Sequence, residues 1–411
     1  MTRAVIIILF FLTALDAYVF KGIQPFFQNA GRLRWLFIIG YWAISLSVSV
    51  ATVLFMMKLR DVRTEPDMLG LIGSSIFFIL FIPKLVFAGF HLIDDVFNGA
   101  SWLYSKVSSD GTDFSRRRFI TKLGLGAGGV LIGALTYGVA KGRFAFKVFQ
   151  HDLKSSRIPS SFDGFRIVQL SDAHLGSFVR QYHELDRLVD IVNGLEPDII
   201  VFTGDMVNNH ASEAEGWEDV FGGLKAKMGK YSIFGNHDYA HYGPYDETQR
   251  EDSIARLKEV HRKMGFQLME DEHVHLERDS ERIALLGVHN WGKGFGEIGD
   301  LEKAYEGLND DGFKVLLSHD PTHFEEQVLG KKSIDLTLSG HTHGMQMGIE
   351  IPALGLKWSP VSLRYKRWAG LYEEAGQFLH VNRGMGVIAY PGRVGMPPEI
   401  TCIDLRSEQT A

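Results

Sequence analysis

Ser339-Gly340-His341-Thr342-His343-Gly344 follows the apolar run Ile334-Asp335-Leu336-Thr337-Leu338. The run reads as a buried strand, and the glycines around the two histidines let the backbone turn sharply where it ends. His341 and His343 are then expected together on a loop at a sheet edge. Imidazole is the commonest metal ligand, and this spacing serves one metal or two adjacent ones. An H-x-H pair is also an ordinary loop feature, so the decision rests on similar strand ends upstream.

Four more appear. Residues 314–317 end at Ser318-His319-Asp320. Residues 230–234 end at Gly235-Asn236-His237-Asp238, and 198–202 at Thr203-Gly204-Asp205. Residues 165–170 end at Ser171-Asp172-Ala173-His174. Helices are expected over 183–195, 217–228 and 248–264, a further strand over 283–288, and closing strands over 378–381 and 399–405. Alternating strands and helices argue an α/β fold with a largely buried sheet, whose sites lie at the carboxyl ends of strands.

The first third differs. Apolar runs cover residues 4–20, 35–57, 69–93 and 123–140, and a helix of about 20 such residues crosses a bilayer. Lys84, after Pro83 in the third run, either snorkels or faces another helix, and snorkelling is the expectation. Residues 1–143 are thus expected to form a membrane region of four helices, and 144–411 a second domain. The first loop carries Lys21, Arg32 and Arg34; the second Lys58, Arg60 and Arg63; the third Lys106, Arg116, Arg117, Arg118 and Lys122. Placing the first and third inside leaves the C-terminal domain outside. Ser115-Arg116-Arg117-Arg118-Phe119-Ile120-Thr121-Lys122 also resembles a twin-arginine export signal. A net charge of -6 offers no basic surface for nucleic acid. The single cysteine, Cys402, excludes an intrachain disulfide.

Asp172, His174, Asp205, Asn236, His237, His319, His341 and His343 form a mixed N/O set suited to divalent transition metals. They are too many for one tetrahedral ion, and two metals bridged by a carboxylate would use them. No G-x-S-x-G or P-loop pattern competes.

The order D-x-H, G-D, G-N-H-D, H, G-H-x-H, from Asp172 through His343, resembles the calcineurin-like metallophosphoesterase superfamily. With the apolar runs and Pro397-Pro398-Glu399-Ile400, it is similar to a bacterial membrane-associated branch. The resemblance implies a two-sheet β-sandwich flanked by helices. It implies two divalent metals (Mn, Fe, Zn, Co or Ni), the first on Asp172, His174 and His343, the second on Asn236, His319 and His341, with Asp205 bridging. His237 would contact phosphate and protonate the leaving oxygen, Asp238 would orient His237, and a hydroxide made at the metals would attack phosphorus in line.

Arg383 and Arg393, in Gly/Pro-rich loops, are candidate phosphate contacts. The expected activity is hydrolysis of a phosphodiester or pyrophosphate, with a membrane or envelope lipid as candidate substrate and the bacterial inner membrane as location. A phosphomonoesterase and a non-catalytic membrane sensor are the alternatives.

Overall fold

A computed structural model describes residues 2–58, 68–106, 115–179, 181–309 and 311–408. Arg60, Arg63 and most of the third loop before Ser115 lie outside them. The chain forms two compact units, which divide after Ala140.

The first unit is four helices: α1 Thr2–Ile23, α2 Leu33–Lys58, α3 Met68–Ser105 and α4 Ser115–Ala140. Each is long and apolar enough to cross a membrane. The third runs on well past the expected 69–93, reaching 38 residues.

Lys84 corrects the expectation of snorkelling. Its ammonium lies 2.6 Å from the Asp16 carboxylate of α1 and donates to Ser45 Oγ of α2 at 3.1 Å. Pairing inside the bundle removes the cost of exposing either charge to hydrocarbon. Lys84→Met strands the Asp16 charge and is expected to lower the unfolding temperature of the full chain in detergent. Adding Asp16→Leu is expected to restore it, because an apolar pair replaces a buried ion pair at little cost.

The second unit begins with strand β1 Lys147–Ser155, then β2 Arg166–Leu170, α5 Tyr182–Gly194, β3 Ile199–Thr203, α6 Glu218–Gly222 and β4 Lys230–Ile233. Next come α7 Glu247–Lys263, β5 Phe266–Leu268, β6 Glu272–Arg278, β7 Glu281–Gly287, α8 Leu301–Tyr305, β8 Lys314–Leu317 and β9 Leu336–Ser339. The chain closes with β10 Ile349–Ile351, β11 Leu356–Trp358, β12 Gly370–Glu374, β13 Gln377–Val381 and β14 Glu399–Ser407. The expected helix over 217–228 shrinks to α6, because Gly222 and Gly223 disfavour its continuation.

Two six-stranded mixed sheets result, ordered β1-β14-β2-β3-β4-β5 and β12-β13-β9-β8-β7-β6. Ile167, Val201 and Ile403 from the first meet Leu285, Val315 and Leu338 from the second in one apolar layer. Leu185, Leu188 and Leu257 of α5 and α7 cover the outer face of the first sheet, and Leu301 and Ala304 of α8 that of the second. Strands buried on both faces carry no alternation, which explains the continuous runs at β2, β3, β8 and β9. In each sheet the site-bearing strands run parallel: β2, β3 and β4 in one, β8 and β9 in the other. Their carboxyl ends bring all five motif loops to one region.

Candidate metal centre

The strand-end loops turn through unusual backbone. Asp172, His174, Asp205, His341 and His343 all have positive φ, from 45° to 69°. This left-handed region is sparsely used by residues with side chains, and such strain clusters at functional sites. Gly340 shows how tight the turn is: a Cβ there would collide with the Ser171 hydroxyl and the Asp172 carboxylate. Gly340→Ala is expected to displace Asp172 and lose bound metal, measured as metal per chain.

Two sets of side chains converge. Asp172, His174, Asp205 and His343 present ligand atoms to one point; Asp205, His319 and His341 present theirs to a second. Asp205 belongs to both. Its Oδ2 lies 3.1 Å from His319 Nε2 and 3.6 Å from His174 Nε2. On one side, His343 Nε2 is 3.1 Å from both Asp172 Oδ1 and His174 Nε2. On the other, Asn236 Oδ1 lies 3.1 Å from His319 Nε2 and 2.8 Å from His341 Nδ1.

The donor set fits divalent metals. The Asp172 and Asp205 carboxylates are buried together, and such charges persist only where cations or donors balance them. Burial raises the Asp172 carboxyl, but the neighbouring His343 imidazole outweighs it and draws the group down to about 2. Asp205 is likewise held well below the carboxylate range: His319 and His237 overcome its burial. Burial keeps His174 well below the ordinary imidazole value and pushes His341 down to about 4, so both are neutral and able to ligate. His319 goes the other way, up to about 10, because Asp205 outweighs its burial. A metal at its Nε2 would displace that proton.

The surrounding contacts set which nitrogen faces inward. His319 Nδ1–H donates to the Thr203 carbonyl at 2.7 Å, leaving Nε2 for the site. His341 uses the opposite nitrogen: the Tyr365 hydroxyl holds its Nε2 at 2.9 Å, so Nδ1 turns inward. Tyr365 in turn donates to Asp320 at 3.4 Å. Such outer partners orient metal-ligating imidazoles. Tyr365 and Asp320 were not singled out from sequence as site residues; only Asp320, next to His319, offered a signal.

Two expected roles change. Asp238 does not orient His237. Its carboxylate accepts backbone N–H bonds from Gly235 and Asp205 at 2.8 Å, and from Met206 and Val207 at 2.8 and 3.2 Å. It ties the β3 and β4 loops together. His237 Nδ1–H instead donates to the Asn208 carbonyl at 2.6 Å, and Glu213 fixes that loop by accepting from Asn208 N–H at 2.6 Å. His237 is half-buried and stacks on Tyr242 at 4.4 Å, with Nε2 left for chemistry.

Arg383 and Arg393 are near-fully buried and spoken for. Arg383 pairs with Glu399 at 2.5 Å and with both Glu350 oxygens at 3.0 and 2.9 Å. Arg393 donates to the carbonyls of Gly386, Arg383 and Met396. Neither guanidinium is free for phosphate in this arrangement. A loop arginine in sequence does not reveal buried acceptors brought from elsewhere in the chain.

Residues 165–345 match the family model for calcineurin-like phosphoesterases, and residues 2–143 match one described as a probable calcineurin-like phosphoesterase transmembrane domain. The uncharacterized metallophosphoesterase YkuE of Bacillus subtilis is 32% identical over 71% of this chain and 98% of its own length. A transmembrane protein with metallophosphoesterase domain from Danio rerio is 30% identical over 66% of this chain and 60% of its own. An uncharacterized metallophosphoesterase of Helicobacter pylori is 26% identical over 90% of this chain and 89% of its own.

Proposed function

The chain belongs to the calcineurin-like metallophosphoesterase family, and from that premise we propose that it hydrolyses a phosphodiester or pyrophosphate bond at a dinuclear centre. Asp172, His174 and His343 would hold one divalent metal, Asn236, His319 and His341 the other, and Asp205 would serve both. The observation that carries this is Asp205: one buried carboxylate shared by two converging donor sets. Two metals, when bound, supply Lewis acidity toward phosphoryl oxygens and a hydroxide near neutral pH.

The remaining work falls to protein groups. His237, anchored at Nδ1 by Asn208, presents Nε2 to the substrate and holds the proton that the leaving oxygen takes. Tyr242 stacks on that imidazole, and its hydroxyl receives the Asn236 side-chain N–H at 2.8 Å, which leaves Asn236 Oδ1 beside His319 Nε2 and His341 Nδ1, where it would ligate a metal. Asn236 as a neutral ligand limits the negative charge that meets an anionic substrate. The Lys and Arg bias of the loops, with the twin-arginine-like stretch 115–122, supports the outer side of a bacterial inner membrane as the domain's location.

The test uses the full chain in detergent, stripped by chelator and reloaded separately with Mn, Fe, Zn, Co or Ni. Metal-dependent cleavage of a chromogenic phosphodiester is expected. His237→Ala is expected to lower kcat by about 10²–10⁴ with metal content unchanged. Preference for a phosphomonoester would move the assignment to a phosphomonoesterase. Two bound metals without turnover of either ester would leave a ligand-binding sensor.

A further inference from the structure

The hairpin that follows the metal loop is built inside out. β10 and β11 pair antiparallel, with Ile349 opposite Trp358, Glu350 opposite Lys357 and Ile351 opposite Leu356. Opposed residues share a face and neighbours alternate, so four large apolar side chains lie on one face and the two charges on the other. In water the apolar face should turn inward. Here it is the charged face, with Glu350 half-buried and Lys357 exposed, whose side chains reach the domain. Glu350 is held by both of its oxygens on buried Arg383, and Lys357 donates to the Ala369 carbonyl, with its ammonium over the Trp368 ring at 5.0 Å.

The apolar face is left outside. Ile349, Ile351, Leu356 and Trp358 are 40–50% exposed, and Leu354 at the tip is 74% exposed. Met345 before the hairpin and Leu363 after it are 56% and 86% exposed. Among the described residues after Ala140, seven of the nine exposed large hydrophobic side chains thus fall between Met345 and Leu363. Scattered apolar residues on a surface are ordinary, whereas a contiguous patch marks an interaction site.

We propose that this hairpin inserts into the lipid bilayer interface. The occupant is lipid, because the same chain carries four helices long and apolar enough to cross a membrane, the last ending at Ala140, and so tethers the second unit to a bilayer. The composition agrees. Trp358 is an interfacial aromatic, and exposed Arg364 and Lys366 flank the patch, where anionic headgroups would meet them. The apolar tip enters the acyl boundary while the charged face keeps the hairpin rigid against the domain.

The base of the hairpin is fastened to the metal loop. Ser359 Oγ donates to the Gly344 carbonyl at 2.7 Å, and Tyr365 reaches His341. A phosphate carried on a lipid is therefore the substrate class this placement favours. That clause rests on the hydrolytic function proposed above; the lipid contact does not.

The test reads contact, not turnover. Leu354→Cys in the full chain takes an environment-sensitive fluorophore, since Cys402 is fully buried and does not compete. The labelled chain is reconstituted into phosphatidylethanolamine–phosphatidylglycerol vesicles carrying a nitroxide on the upper acyl chain. Glu277→Cys, exposed on β6 at the far edge of the second sheet, is the reference. A blue-shifted emission at 354, quenched at least twofold more than at 277, is the expected result. Quenching no greater than at 277, with water-like emission, would overturn the proposal by placing the hairpin in solvent. Blue-shifted emission without quenching would overturn it in favour of a protein cover, such as a second copy of the chain.

Discussion

On the dinuclear centre proposed above, Asp205→Asn is expected to lower turnover by about a thousandfold and to reduce bound metal from the proposed two ions per chain to one or fewer. The substitution is nearly isosteric, so the fold has little reason to respond. Its Oδ1 accepts the His237 backbone N–H at 2.9 Å, and an amide oxygen can do the same. The other position is where the change bites. Oδ2 faces His319 and His174 Nε2 at 3.1 and 3.6 Å. An amide NH₂ there turns a donor toward the point where the two donor sets converge and a bound cation would need an anionic acceptor. The carboxyl is held ionised far below neutral pH by His319 and His237 despite its burial, so the lost charge is one the native centre always carries. Elemental analysis of the purified full chain gives the metal count. A second readout is thermal: a ligand bound only to the folded state raises the unfolding temperature, so the gap between metal-loaded and stripped protein should shrink in the variant. Two metals retained with activity intact would remove Asp205 as the bridge.

The loop after β4, whose Lys230 and Tyr231 stay partly exposed, was marked only by Gly235-Asn236-His237-Asp238; the other four motif loops were legible because each closes a strand buried on both faces. Such strands read as unbroken apolar runs, and the change to Asp, His, Asn and Gly marks the end of each. That pattern located the layers and the candidate ligands before any contact was seen. Three other features left little trace. β1 is an edge strand with eight of its nine residues at least partly exposed around Leu153, so its burial pattern does not repeat cleanly. β10 and β11 are three residues each, too short for a period, and their charged face is the anchored one. The partner of a charge is also not written beside it. Asp238 sits next to His237 in sequence, yet its oxygens meet four backbone N–H groups; Lys84 meets Asp16 across 68 positions of chain.

Arg383→Ala is expected to destabilise the second unit by about 3–5 kcal/mol, the range for removing one partner of a buried ion pair. At roughly 2–4 °C per kcal/mol for a domain of this size, its unfolding transition should fall by about 10 °C. The guanidinium is 2% exposed and sits between Glu399, which is fully buried, and Glu350 of the hairpin. Burial opposes its charge, but the two glutamates more than compensate and raise its pKa. Without the guanidinium, Glu399 keeps the backbone N–H of residue 383 at 3.2 Å, His380 at 3.3 Å and the Thr401 hydroxyl at 2.8 Å to balance its carboxylate. Adding Glu399→Gln removes the stranded charge and should recover part of the loss. The damage should also reach the metals. Met385 and Gly386, just beyond Arg383, donate backbone N–H bonds at 2.9 Å to the Ser171 and Asp172 carbonyls. A loosened loop frees Asp172, so a metal held by the proposed Asp172, His174 and His343 set should be lost first as chelator is added. A phosphate-binding arginine would behave differently: KM for the ester would rise while the transition and the metal content stayed put. The two outcomes separate in one titration, and the contacts of Arg383 with Glu399 and Glu350 favour the first.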